Sequence, residues 1–154
     1  MDMIKAAIHE AACQKLIHRF AYALDHYDYT GVLSLFTDDA EFSAFDRSYQ
    51  GLSGLKSWLA RRETDMITRP NISNVIVDMV NDKEAIGTAR CTVYRLRGWR
   101  GKEPGPMANP VYVLDYKDRF IRDPKRGWLF SRREAVIVLA GVEQRQWISQ
   151  GVGR

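Results

Sequence analysis

The period of the hydrophobic pattern changes once along this chain, near Pro70, and that change constrains the fold more than any other feature. Before it, apolar residues recur every three or four positions. Cys13, Leu16, Ile17, Phe20 and Leu24 fill one arc of a helix over residues 3–27, and Ala21 extends the arc. Thr30 is placed to cap a short second helix carrying Val32, Leu33, Leu35 and Phe36. Thr37-Asp38-Asp39 breaks that helix. Residues 40–45 then read as a short strand, and residues 51–63 as a third helix with Leu52, Leu55, Trp58 and Leu59 inward. Beyond Pro70 the pattern is that of strands. Residues 72–80 are rich in Val and Ile, and residues 85–96 carry a face of small residues: Ala85, Gly87, Ala89, Cys91 and Val93. A Gly- and Pro-rich loop spans 97–110, and residues 111–122 and 127–139 form a hairpin joined by the turn DPKRG. The tail, 140–154, reads either as a short helix or as a loose end. Helices gathered ahead of antiparallel strands imply an α+β fold. A length of 154 residues without repeat or linker implies one domain, 1–154.

Several function classes recede on composition. No apolar run approaches the roughly 20 residues needed to span a bilayer, so no membrane association is expected. The N-terminus carries Asp2 and Glu10 and lacks the apolar core of a signal peptide, which makes the cytoplasm the expected location. Cys13 and Cys91 stand alone and read as small buried apolar residues. Residues 90–133 hold 12 Lys and Arg against Glu103, Asp115, Asp118 and Asp123. That excess is expected on solvated strand faces and a basic loop; nucleic acid is an unlikely partner. Asp38, Asp39 and Glu41 read as a turn, and with no HxH, HExxH or carboxylate cluster no metal is expected.

Asp25 is the residue on which chemistry is expected to turn. It falls at the rim of the first helix's apolar arc, where a carboxylate loses solvent and its pKa rises toward that of a general base. Tyr22 and Tyr29 lie three before and four after it, at helical reach, and are its expected assistants. His18 lies on nearly the same meridian and joins a set of expected ligand contacts: Asn71, Asn74, Arg90, Tyr94 and Tyr112. His9 is expected to be exposed, and His26 to point away from Asp25.

The stretches FAYALDHYDYTGVLSLFTDDAEF, YQGLSGLKSWLARR, SNVIVD and GWLFSRREAVIV resemble the SnoaL-like branch of the nuclear-transport-factor-2-like superfamily over residues 5–139. The resemblance implies a cone: a curved mixed, mostly antiparallel sheet wrapped round three N-terminal helices, enclosing a deep apolar pocket. It also implies a small hydrophobic ligand, and a cofactor-free lyase or isomerase of dehydratase, isomerase or cyclase type. Asp25 matches the aspartate that dehydratase and dehydrochlorinase members carry at the end of the first helix. Pro70 stands where they carry histidine. Phe20 stands where the dehydrochlorinase has lysine and near the ketosteroid isomerase tyrosine, and Ala44 falls near the isomerase's base. The alternative is a non-catalytic binding or structural subunit like the small subunit of ring-hydroxylating dioxygenases, with a larger oxygenase subunit as partner. A homodimer or homotrimer is expected from the resemblance.

Overall fold

A computed structural model describes residues 2–45, 47–99, 102–142 and 144. In chain order the elements are α1 (Met3–Asp25), α2 (Tyr29–Ser34), β1 (Phe36–Ala44), β2 (Arg47–Gln50), α3 (Gly51–Ala60), β3 (Met66–Met79), β4 (Glu84–Arg97), β5 (Pro110–Asp123) and β6 (Gly127–Ala140). The strands form one curved mixed sheet in the order β2-β1-β6-β5-β4-β3. Only the β1–β6 pairing is parallel. No helix among the described residues is long and apolar enough to cross a membrane.

The expected arc of α1 is its buried face. Cys13, Leu16, Ile17, Phe20 and Leu24 are buried, and α1 packs on β3, β4 and β6. Phe20 sits at the centre, its ring 5.9–6.3 Å from those of Phe36, Phe42, Trp58, Tyr116 and Phe130. Phe20 is thus the hub of an aromatic cluster.

α1 stops at Asp25, two residues short of the expected end. The Asp28 N–H bonds the Ala23 carbonyl and the Tyr27 N–H bonds the Leu24 carbonyl, the paired closure in which one residue turns left-handed. Here that residue is Tyr27, at φ 55°. A bulky side chain at positive φ is costly and survives only where its surroundings hold it. The Tyr27 hydroxyl supplies the hold by donating to the Met66 carbonyl at the start of β3. One unusual residue thus ties the end of α1 to the start of β3.

Three local expectations are corrected. Asp28, not Thr30, caps α2, its carboxylate accepting from the Gly31 N–H at 2.8 Å. A Cβ on Gly31 would lie 2.1 Å from that carboxylate, so any larger residue would force the capping side chain to move. Thr37-Asp38-Asp39 lies within β1, because Asp38 and Asp39 face solvent along a strand whose register shifts between Phe36 and Glu41. β3 begins at Met66, ahead of Pro70. The proline is tolerated because β3 is an edge strand and pairs only with β4. Residues 47–50, which carried no assignment, form β2. Most of the 140–154 tail lies outside the described residues.

Not every basic residue in 90–133 is solvated. Arg133 on β6 is fully buried and makes a two-pronged contact with Asp118 on β5, both distances 2.8 Å. Its guanidinium lies 4.1–4.4 Å from the ring centres of Phe20, Tyr116 and Phe130. The two residues are direct cross-strand partners, both inward.

Candidate functional site

The side chain of Asp25 is 12% exposed. One carboxylate oxygen accepts from the Thr68 hydroxyl at 2.9 Å. The other lies 3.7 Å from a guanidinium nitrogen of Arg69, a side chain largely in solvent that also donates to the Thr68 carbonyl at 2.7 Å. A long ion pair to an exposed arginine is weak. Burial therefore dominates and raises the Asp25 carboxyl above its usual range, against the Thr68 hydroxyl and the more distant charges of Arg69, His26 and Arg62.

Thr68 is buried and faces inward with Met66, Pro70 and Ile72 along β3, by the two-residue period of a strand. It lines an inner chamber of about 80 Å³ together with Phe20, Leu24, Pro70, Leu114 and Tyr116. That chamber opens into an outer cavity of about 470 Å³. Ala44, Phe45, Trp58, Arg62, Arg95 and Tyr112 border both and form the neck between them. The Asp25 carboxylate stands behind the chamber wall, joined to it by Thr68.

Two further groups bear on the inner end: Tyr116 lines it, and Cys91 is hydrogen-bonded to Tyr116. Burial pushes the Tyr116 hydroxyl far above its ordinary range, so it is a neutral phenol. Burial likewise pushes the Cys91 thiol up to about 11, against the influence of Tyr116 and Arg133 and with a contribution from Asp25. A thiol so protonated is no nucleophile. Cys13, raised by burial to about 12, is inert for the same reason.

Of the residues singled out by sequence, the structure brings Asp25 and Tyr112 to this region. Tyr112 is 4% exposed and lines both cavities. Tyr22 is 67% exposed and stacks on His26 with ring centres 4.0 Å apart, turned to solvent. Tyr29 is half-buried beside Tyr27, and its buried hydroxyl has no hydrogen-bond partner among the described residues, but it does not line the chamber. His18 is exposed. Asn71 and Asn74 are exposed; Asn71 alternates with the inward Pro70 and Ile72, and Asn74 sits in a register shift at φ 51°. Arg90 is exposed and lies 3.5 Å from Asp115. Tyr94 is half-buried and alternates with Val93 and Arg95, which face the chamber. His9, expected in solvent, is buried: its ring lies edge-on to Trp128, whose indole N–H donates to its Nδ1 at 3.2 Å.

Sequence reasoning missed Thr68, Tyr116 and the neck arginines Arg62 and Arg95. The signal for Thr68 was its two-residue offset from Pro70, readable once β3 is extended past the proline. Among the described residues no group of three His, Cys, Asp or Glu is placed to hold a metal.

Searches by structure return the same fold many times. A hexachlorocyclohexane dehydrochlorinase from Novosphingobium barchaimii superposes with a TM-score of 0.70 at 17% identity, over 91% of this chain and 93% of that one. A candidate scytalone dehydratase from Novosphingobium aromaticivorans gives 0.69 at 22%, over 88% and 87%. A candidate aromatic ring hydroxylase from the same organism gives 0.69 at 18%, over 86% and 91%. No curated protein sequence matches the chain. Likeness at these identities shows the fold alone; the family rests on the sequence itself. Residues 6–134 match the model of the SnoaL-like domain, and the chain therefore belongs to the SnoaL-like domain family of the nuclear-transport-factor-2-like superfamily.

Proposed function

We propose that this protein is a cofactor-free proton-transfer enzyme, a lyase or isomerase that dehydrates, isomerises or cyclises a small cyclic molecule. The observation that carries the reading is the Thr68 bridge: a hydroxyl on the chamber wall bonded to a carboxylate whose affinity for a proton is raised by burial. Asp25 is the base. Thr68 fixes the carboxylate and leaves its second oxygen facing only a long contact to Arg69. The substrate's ring lies in the outer cavity with its reacting edge turned to the inner chamber, and the neutral Tyr116 phenol donates a hydrogen bond to the oxygen on which charge develops. Tyr116 takes the assisting role that Tyr22 and Tyr29 were expected to fill. No histidine is required, because the carboxylate itself accepts the proton.

Deuterium uptake tests this without the natural substrate. 2-Tetralone, a cyclic ketone with acidic C–H bonds, is incubated in D2O with the protein and followed by NMR. The wild type accelerates exchange and Asp25→Asn returns it to the buffer rate. Equal rates for the two proteins would overturn the reading.

A second reading, as a non-catalytic subunit of a larger assembly, is favoured by exposed apolar residues on the sheet: Ile76, Ile86, Ile121, Val138 and Leu139. It predicts a homodimer, a homotrimer or a complex with an oxygenase subunit by light scattering, together with no exchange activity.

A further inference from the structure

Five arginines and one glutamate border the outer cavity: Arg47, Arg61, Arg62, Arg95, Arg97 and Glu63. The glutamate is already engaged. Arg97 holds it through Nε and Nη2 at 2.5 and 3.1 Å, and this contact lowers the Glu63 carboxyl below its ordinary range. Arg62 and Arg95, at the neck, have no such partner among the described residues. Arg62 lies over the Trp58 ring at 5.8 Å and Arg95 over the Tyr112 ring at 5.5 Å. Stacking on a ring face fixes each guanidinium in place without using its N–H groups.

The Nε of Arg62 and the Nε of Arg95 are both buried and have no hydrogen-bond partner among the described residues. Buried donors are nearly always paired, so two orphaned Nε atoms leave these neighbouring cations short of acceptors, a shortfall that an anion in the cavity offsets at the half-buried guanidiniums that line it. The cations also act on one another: Arg95 is depressed below its ordinary pKa, chiefly by burial, with Arg97 and then Arg62 adding to the effect and Tyr112 and Glu63 opposing it. Like charges held together at a cavity neck are relieved by an anion between them.

We infer that the ligand of this pocket is an organic carboxylate, with an apolar ring body reaching into the inner chamber and its carboxylate held at the neck between Arg62 and Arg95. The inference deepens the proposed function by naming its substrate class, and it rests on the reading that the chamber is the reaction site. The neck residues and Thr68 border the same chamber, so a substrate gripped by its acid group presents its ring to the chamber that Thr68 joins to Asp25.

The test is calorimetric titration with 2-naphthoate and with 2-naphthamide, its uncharged counterpart of the same shape. The wild type is expected to bind the carboxylate at least about tenfold more tightly than the amide. Arg62→Met and Arg95→Met each reduce that preference to within about twofold while keeping a cooperative melt. Arg119→Gln, which removes a charge from the exposed outer face, keeps the preference. Exchange into 2-tetralone, which carries no carboxylate, is followed on the same proteins, so loss of proton transfer and loss of carboxylate recognition are read separately. Equal affinity for acid and amide in the wild type, a preference that survives both neck variants, or no binding of 2-naphthoate would each overturn the inference. The amide comparison on unmodified protein decides the matter even if a neck variant fails to fold.

Discussion

Two carboxylates are drawn into the interior of this protein, and they are treated differently. Asp118 and Asp25 both suffer the desolvation that opposes ionisation. Asp118 meets a guanidinium from the adjacent strand in matched two-pronged geometry, and three aromatic rings enclose that partner. Asp25 meets one neutral hydroxyl and a distant arginine that is mostly in solvent. The first charge is paired and locked in place, although burial still holds its carboxyl above the ordinary range and Arg133 Nη1 has no partner among the described residues. The second is left under-compensated beside a cavity. A buried acid that is fully paired serves the fold; one that is held but not neutralised is poised to exchange a proton.

The largest expected effect falls on the locked pair. Arg133→Met strands the Asp118 carboxylate in the core and costs about 3–5 kcal/mol, read as a fall in the denaturation midpoint. Combining Arg133→Met with Asp118→Leu removes the stranded charge and restores most of the loss. If the single variant were as stable as the wild type, the contrast between the two acids would collapse.

At the poised acid the expectation is kinetic. Asp25→Asn is predicted to lower exchange about a hundredfold, roughly 2.7 kcal/mol in activation free energy. Thr68→Val removes the hydroxyl that steadies the base and is expected to lower exchange about tenfold. Because that hydroxyl favours the charged carboxylate, its loss also moves the titration of activity to higher pH.

The smallest effect concerns stability. The folded pKa of Asp25 lies above its unfolded value, so the native state holds this proton more tightly. As pH rises through the window between the two values, the unfolded state releases its proton first and stability falls. Above the folded value the penalty is complete. Asp25→Asn removes that penalty, so it is expected to melt slightly above the wild type at neutral pH, with the gap closing in acid. A gap that widened in acid would mean that the fold favours the charged form of Asp25, with its carboxyl held below the ordinary range.

How much of this was legible in the chain follows from which forces act locally. The change of period at Pro70 carried the helix-then-strand order, because core-facing residues on α1 and β4 must repeat at the spacing of their own backbone. Asp25 was legible from its place at the edge of the α1 arc. Thr68 was hidden because a proline usually marks the margin of a strand, and only the edge position of β3 permits one inside it. The Asp118–Arg133 lock was hidden because inward arginine and aspartate look like solvated residues until the cross-strand register pairs them. Tyr22 and His18 misled because spacing along a helix does not say which flank faces a cavity. The neck arginines needed Trp58 and Tyr112 beside them, contacts that no local pattern encodes.

The most direct test of the central claim is the pH profile of 2-tetralone exchange, for the wild type and for Asp25→Asn. The account predicts a wild-type rate that rises with pH through a single step lying above the ordinary carboxylate range, and no such step in the variant. A wild-type profile without that step, or a step that survives in Asp25→Asn, would contradict the assignment of Asp25 as the base.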